Sequence, residues 1–468
     1  MKDYEGLLTE LNAKIWDYAE LKFHETRSMT AHTKVLEEAG FTVVRGVAGI
    51  PTAFTAAWGE GKPVIGILAE YDALNGLSQV ANVSEKKLRP ETENGHGCGH
   101  CLLGTASVGG TMMLKDMLED TCTPGTVVLV GCPAEEGGSG KTFLTRAGVF
   151  DGLDIALTWH PGGGNSVFSG SFMANCQVRF RFRGVSAHAA CAPQLGRSAL
   201  DAMELMDVGV NYLREHMEAT DRIHYAILNT GGSSPNVVQN FAEVRYLIRS
   251  TSNEKVKKLY ERVCRVAKGA AEMTETEVEI VFEKACSDSI SNAVLEKLLY
   301  ESMQEEPYPS FSDEELTFAR EIRATYTDET MDSDLCVLGC PEFDRRKYLQ
   351  IMKEAVLVDS IKEYHHLETT IPGSSDVGDC SQIVPTAQFV GACFTPGTPG
   401  HSWQMVTQGK TSYASKVMVW SAKVLARAGY QAILHPEMIA AARQELREVT
   451  GGREYRCPIP DEIMPPIQ

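Results

Sequence analysis

The 468-residue sequence predicts an α/β protein: a sheet with helices on both faces, interrupted by a smaller unit of β-α-β-β-α-β order. Three observations predict it. TVVLVG from Thr126 and DIALTW from Asp154 are unbroken apolar runs, as in parallel strands buried on both faces. QVRFRFRG from Gln177 alternates strictly, the pattern of a strand with one wet face. Between residues 176 and 288 strand and helix patterns then follow in the split-βαβ, ferredoxin-like order.

The elements follow in sequence. Leu7, Leu11, Ile15 and Tyr18 recur at helical spacing, so the chain opens with an amphipathic helix. AFTAAW from Ala53 and PVIGILAEY from Pro63 read as strands, and the polar stretch 76–93 as a long surface loop. LLGTASVGGTMMLKDML from Leu102 mixes small and large apolar residues as a buried helix does. In the second unit QVRFRFRG is followed by the helix SALDAMELMDVGVNYLREHM and the strands RIHYAILNT and AEVRYLIRS. The helix NEKVKKLYERVCRVAKGAAEM and the strand EVEIVFEKA complete it. From Ser289 onward long helices and the buried strand TAQFVG return to the first pattern. The expected domains are therefore 1–175 with 289–468, and an inserted 176–288.

Composition narrows the function classes. Hydrophobic residues make up 43% and charged residues 23%, enough to bury a core and too apolar for a disordered chain. With 44 basic and 62 acidic residues the net charge is −18, which repels phosphate backbones and anionic lipid. Nucleic acid and membrane are thus not expected partners, although a local basic pocket can still hold an anionic substrate. No apolar run reaches the roughly 18 residues of a membrane helix. The charged N-terminal stretch lacks a signal peptide's apolar core. Thirteen cysteines, an odd number without repeating spacing, read as reduced thiols of a cytoplasmic protein.

Chemistry-bearing residues gather among glycines in six segments. These are AEYDALNG (69–76), ENGHGCGHC (93–101), CPAEEGGSG (132–140), TWHP (158–161), GSSDVGDCS (373–381) and TPGTPGHSWQ (395–404). Several sit at the ends of buried strands, where open α/β sheets bind ligands, so segments distant in sequence can converge. HGCGHC offers His96, Cys98, His100 and Cys101, a donor set suited to zinc and similar ions. Cys98 and Cys101 also form the C-x-x-C of a thiol–disulfide exchanger, and a Gly-rich turn with buried thiols is the plain alternative. Glu135 and Glu136 follow a buried strand, so they do not lie on a solvated helix face; one can bind a metal while the other acts as general base. His160 and His401, taken singly, read more readily as structural histidines than as ligands.

Together the motifs identify a resemblance. AEYDALNG, NGHGCGH followed by LLG, PAEEGGSGK, GVSAHAA, SSPNVV, SSDVGD and GTPGHSWQ stand in order through nearly the whole chain. In this it resembles the co-catalytic metallopeptidase and amidohydrolase family of aminoacylases, carboxypeptidase G and auxin-conjugate hydrolases. Within that family the likeness is strongest to the B-type p-aminobenzoyl-glutamate hydrolase group. The resemblance implies a mixed-sheet, zinc-peptidase-like catalytic domain with an inserted ferredoxin-like lid and dimerisation domain. It implies two divalent metal ions, zinc or manganese, held by Cys98, His100, Glu136, His160 and His401, with Cys98 bridging and Glu135 as general base. By the same likeness His224 stabilises the oxyanion, Asn236 binds the substrate backbone and Arg249 forks onto a substrate carboxylate. Asp72 is expected to orient a ligand histidine, Asp376 and Asp379 to shape the site, and His188 has a counterpart but no assigned role. Many relatives carry Asp or Asn where Cys101 stands.

The implied reaction is metal-dependent hydrolysis of an N-acyl amino acid, p-aminobenzoyl-glutamate or a similar acyl-glutamate. The alternatives are a dipeptidase for β-alanyl or other unusual dipeptides, a thiol–disulfide oxidoreductase using Cys98 and Cys101, and a catalytically dead scaffolding protein. The implied partners are a small acyl-amino-acid or dipeptide substrate and a second copy of the chain, with a related protein in a heteromer as the other arrangement.

Overall fold

The computed structural model describes residues 3–467. Its larger sheet has seven strands, running from edge to edge Thr42–Arg45, Phe54–Glu60, Gly125–Cys132, Val64–Glu70, Ile155–Pro161, Thr386–Gly391 and Ser166–Phe168. The middle four are mutually parallel, and each strand outside them is antiparallel to its inner neighbour, so the sheet is mixed. Val64–Glu70 is buried at every position after Val64, which accounts for its unbroken apolar run. One consequence matters for the site. Parallel strands end on one edge of the sheet, so the residues following Glu70, Cys132, Pro161 and Gly391 emerge side by side.

Two long helices cover one face. His100–Thr121 packs against Ser412–Leu434, and Gly110 sets how closely they approach: a β-carbon there would lie 2.9 Å from the Ala422 carbonyl oxygen. Trp159, from the sheet, stacks on Phe389, which meets Trp420 edge to face. The indole of Trp159 is buried and donates to the Leu103 carbonyl at 3.0 Å, so its polar edge is satisfied inside the core.

The second sheet is antiparallel throughout, in the order Arg222–Asn229, Phe241–Ser250, Ala174–Arg183, Glu277–Cys286. Helices Ala199–Leu213 and Asn253–Met273 bury one face of it through Val178, Phe180, Phe182, Val244, Tyr246 and Ile248. The alternate residues form an ion-pair ladder on the other face: Arg179, Arg181 and Arg245 with Glu243, Glu279 and Glu283. These half-exposed pairs contribute at most about 1 kcal/mol each, so they keep the face wet rather than supply the stability.

Three local expectations are revised. The first helix, Glu5–Tyr18, buries Leu8, Leu11, Asn12, Ile15 and Trp16, while Leu7 is exposed. The buried stripe is turned because Asn12 and Trp16 donate to the carbonyls of Gly409 and Val406, tying this helix to the segment after His401. Residues 76–93 are not purely surface: Gln79 is fully buried and spans the loop by bonds to Glu85 and Lys87. The short strand Ser166–Phe168, which closes the sheet, carried no signal of its own. No helix among the described residues is long and apolar enough to cross a membrane.

Candidate metal centre

Gly99 launches the buried helix from the Cys98 loop. It has φ +81°, and a β-carbon would lie 2.6 Å from Pro161 Cγ and 2.9 Å from Phe394 Cζ, so the turn needs both the left-handed backbone and the missing side chain. The turn places Cys98 and His100 against the end of strand Ile155–Pro161. Cys98 Sγ lies 3.4 Å from His160 Nε2. His160 Nδ1 donates to the Pro161 carbonyl at 2.9 Å, which leaves the Nε2 lone pair facing the thiol. Burial, then His100, pushes this imidazole down to about 4 and keeps it in the neutral, ligating form.

His100 is oriented from behind. Its Nδ1 meets Asp72 Oδ1 at 2.8 Å, and Asp72 Oδ2 accepts the Glu136 backbone N–H at 2.9 Å. One carboxylate thus sets both the ring and the turn that carries the two glutamates, the arrangement that fixes metal-binding histidines elsewhere. Glu135 and Glu136 open a single helical turn after strand Gly125–Cys132. The preceding Ala134 sits at φ +62°, and its N–H is held by the buried Glu25 at 2.8 Å. Glu136 Oε2 lies 3.6 Å from His401 Nε2, and the His401 N–H donates to the Gly97 carbonyl at 3.0 Å.

These side chains form two groups whose donor atoms all lie within 4.8 Å of one another: Cys98, His100 and His160, and Cys98, Glu136 and His401. Cys98 belongs to both. The donor chemistry, thiolate with imidazole and carboxylate, suits zinc and similar divalent ions. Two buried atoms make no hydrogen bond: Glu136 Oε1, and His100 Nε2, which has the Glu70 carboxylate 3.3 Å away. The residues therefore fit a pair of divalent ions. A third combination, Glu70 with His100 and Glu135, meets the same distance test. There the Lys141 ammonium already lies 2.5 Å from Glu70, so a second cation is opposed.

Glu135 projects beside the groups without joining the shared pair. Burial, then Glu70, Asp376 and Glu136, pushes its carboxyl up to about 8. A carboxylate in such surroundings binds a proton far more readily than one in water.

Other predicted residues lie apart. His96 is buried and bonds the Ile15 carbonyl at 3.1 Å, away from the donor groups. Cys101 is fully buried in the helix core, and burial pushes its thiol up to about 12, against the depressed value thiol exchange requires. His224 and Asn236 are exposed on the second sheet and its following loop, and neither joins a donor group. Arg249 is half-buried and donates to Ser374 Oγ at 3.0 Å, joining the second sheet to the loop that carries Asp376. His188 is nearby in sequence but local in role: its Nδ1 accepts from the backbone of Ala190 and Cys191. Asp379 accepts from Ser287, Thr142 and Tyr455.

Two residues that stand within the motifs but received no role from them hold the site together. Lys141 is fully buried, with Glu70 at 2.5 Å and Asp376 at 2.6 Å. Glu70 in turn reaches His100 Nε2 at 3.3 Å. The signal was present in part: Glu70 is a charge ending a strand buried on both faces, and such charges need partners. Lys141→Met leaves two buried carboxylates uncompensated. It is expected to cost about 3–5 kcal/mol of unfolding free energy, measured by urea denaturation, the range for breaking a buried pair. A loss under about 1 kcal/mol, the surface-pair range, contradicts that reading.

Residues 66–465 match the profile of peptidase family M20/M25/M40, and the chain belongs to that family. It is a metal-dependent amidohydrolase. The chain is 45% identical over 458 residues to the B component of the p-aminobenzoyl-glutamate hydrolase of Escherichia coli K12, covering 98% of this chain and 95% of that one. It is 32% identical over 288 residues to the Xaa-Arg dipeptidase of Mus musculus, 59% of this chain and 62% of the relative. A dinuclear metal-binding M20 peptidase from Bacillus subtilis shares the fold with TM-score 0.56 at 16% identity, over 92% of this chain and 99% of that one.

Proposed function

We propose that this amidohydrolase cleaves the amide bond of an N-acyl amino acid, with p-aminobenzoyl-glutamate or a similar acyl-glutamate as substrate. The observation that carries the chemistry is the pair of donor groups sharing Cys98, with Glu135 beside them. Likeness over both full chains to the Escherichia coli hydrolase component favours the acyl-glutamate. Cys98, His100, His160, Glu136 and His401 would hold two divalent ions, zinc or manganese, which would supply a lowered water pKa and polarisation of the scissile carbonyl. Glu135 takes the proton of the attacking water and delivers it to the leaving nitrogen. Asp72 keeps His100 and the Glu135–Glu136 turn in register throughout. The mouse relative favours a second reading, a dipeptidase, over a shorter span.

Residues 176–288 act, in this reading, as an inserted ferredoxin-like lid and dimerisation domain. The order of its four strands supports this. So does strand Arg222–Asn229, which lies at the sheet edge with Tyr225, Ile227 and Leu228 exposed, while the adjoining helix exposes Val208 and Tyr212. An unpaired apolar edge is a ready surface for a second copy or a related protein. His224 and Asn236 then serve the oxyanion and substrate backbone from the dimer, and Arg249 the substrate carboxylate. Sedimentation of the metal-loaded protein separates dimer from monomer. The reduced thiols and acidic charge favour a cytoplasmic location.

The test of function is release of p-aminobenzoate from p-aminobenzoyl-glutamate by the metal-loaded chain, beside a panel of Xaa-Arg dipeptides. Faster turnover of the acyl-glutamate supports the proposal; exclusive turnover of dipeptides replaces it with the second reading.

A further inference from the structure

A cavity of about 210 Å³ opens beside the donor groups, with Cys98, His160 and His401 in its wall. It is smaller than the roughly 300–1,000 Å³ of sites that take whole drug-sized ligands, so it holds one moiety of a substrate. Leu338, Val390, Phe394 and Met405 make most of the rest of its lining apolar. Asp334 is the single carboxylate among the lining residues, and it comes from the short helix Met331–Val337, which no motif marked. Its Oδ2 accepts the Gly397 N–H at 2.7 Å. Among the described residues Oδ1 has no hydrogen-bond partner, and no Lys or Arg lies within ion-pair reach. Burial pushes this carboxyl up to about 7, in keeping with a missing counter-charge. An apolar cavity lined by one carboxylate that keeps an unpaired oxygen matches a flat apolar group that carries an N–H donor.

We propose that Asp334 sets substrate specificity by accepting a hydrogen bond from an amino group on the moiety that fills this cavity. The inference rests on the acyl-amino-acid reading for the identity of that moiety, an arylamine. A cationic amine supplies the same donor, and the test separates the two sources. Calorimetric titration of the metal-loaded full chain uses 4-aminobenzoate, 4-(aminomethyl)benzoate and benzoate as probes. At least tenfold tighter binding of an amine-bearing probe than of benzoate is expected, with the arylamine or the cation leading according to the source. Asp334→Asn keeps an oxygen for Gly397 and turns an amide N–H₂ toward the cavity. That variant is expected to lose the preference while binding benzoate within threefold and melting within 2 °C of the parent. Equal binding of all three probes by the parent overturns the proposal, as does an equal loss for benzoate and the amines in D334N. Binding is read without turnover. An amine preference in a chain that fails to hydrolyse p-aminobenzoyl-glutamate removes the substrate assignment and leaves the role of Asp334 standing.

Discussion

Glu135→Gln is expected to lower kcat by about 10²–10⁴-fold, the range for losing a general acid–base group. Bound metal and melting temperature should match the parent. The two adjacent carboxylates differ in their surroundings. Glu136 has a histidine within 3.6 Å and a buried oxygen without a partner, whereas Glu135 faces other carboxylates that raise its proton affinity. The amide keeps the shape of the side chain and removes only its basicity. Glu136→Gln is expected to behave differently, because it weakens a donor to one of the two groups and should lower metal content with activity. Metal analysis and steady-state kinetics on the two variants decide the matter. If E135Q keeps more than about a tenth of parental kcat, a loss well below that range, the general base is elsewhere.

Cys98→Ala is expected to abolish both metal occupancy and turnover. The thiol contributes to each group, so its removal leaves His100 with His160, and Glu136 with His401, as two-donor remnants. Zinc sites in proteins ordinarily use at least three protein ligands, and loss of an outer-shell partner alone costs about 10–100-fold in affinity. Metal content should fall below one ion per chain, and kcat/KM by more than about 100-fold, beyond that outer-shell range. Cys101→Ala is the matched control. That thiol is three residues away yet packs in the core, so its truncation should change stability modestly and leave metal content unchanged. The opposite ranking, with Cys101 essential and metal irrelevant, is what thiol–disulfide chemistry requires.

Much of the fold was legible because burial writes itself into periodicity. The unbroken runs at Val64, Thr126 and Ile155 became parallel strands, and the strict alternation after Gln177 became a sheet with an ion-pair ladder on its wet face. The site was legible as strand ends. Four parallel strands finishing on one edge bring the Cys98 loop, the Glu135 turn, His160 and the His401 loop into one crevice. What periodicity cannot carry is pairing between charges whose proximity depends on strand order. Lys141 meets Glu70 and Asp376 through that order, and Asp334 lines the cavity from a short helix distant in sequence from the other site segments. Nor does motif membership give direction: His96 and Cys98 are two residues apart, yet one bonds the first helix and the other faces His160. His224 and Asn236 lie outside the donor groups of this chain, so the roles proposed for them rest on a second copy, about which one chain's sequence holds no geometry.

The most direct measurement is an anomalous difference map from crystals of the zinc-loaded protein. Two peaks per chain are expected, both about 2.3 Å from Cys98 Sγ, the usual zinc–sulfur distance. One should be completed by His100 and His160 and the other by Glu136 and His401. A map whose density lies between Glu70, His100 and Glu135, with Cys98 unliganded, contradicts the shared-thiolate centre and everything derived from it.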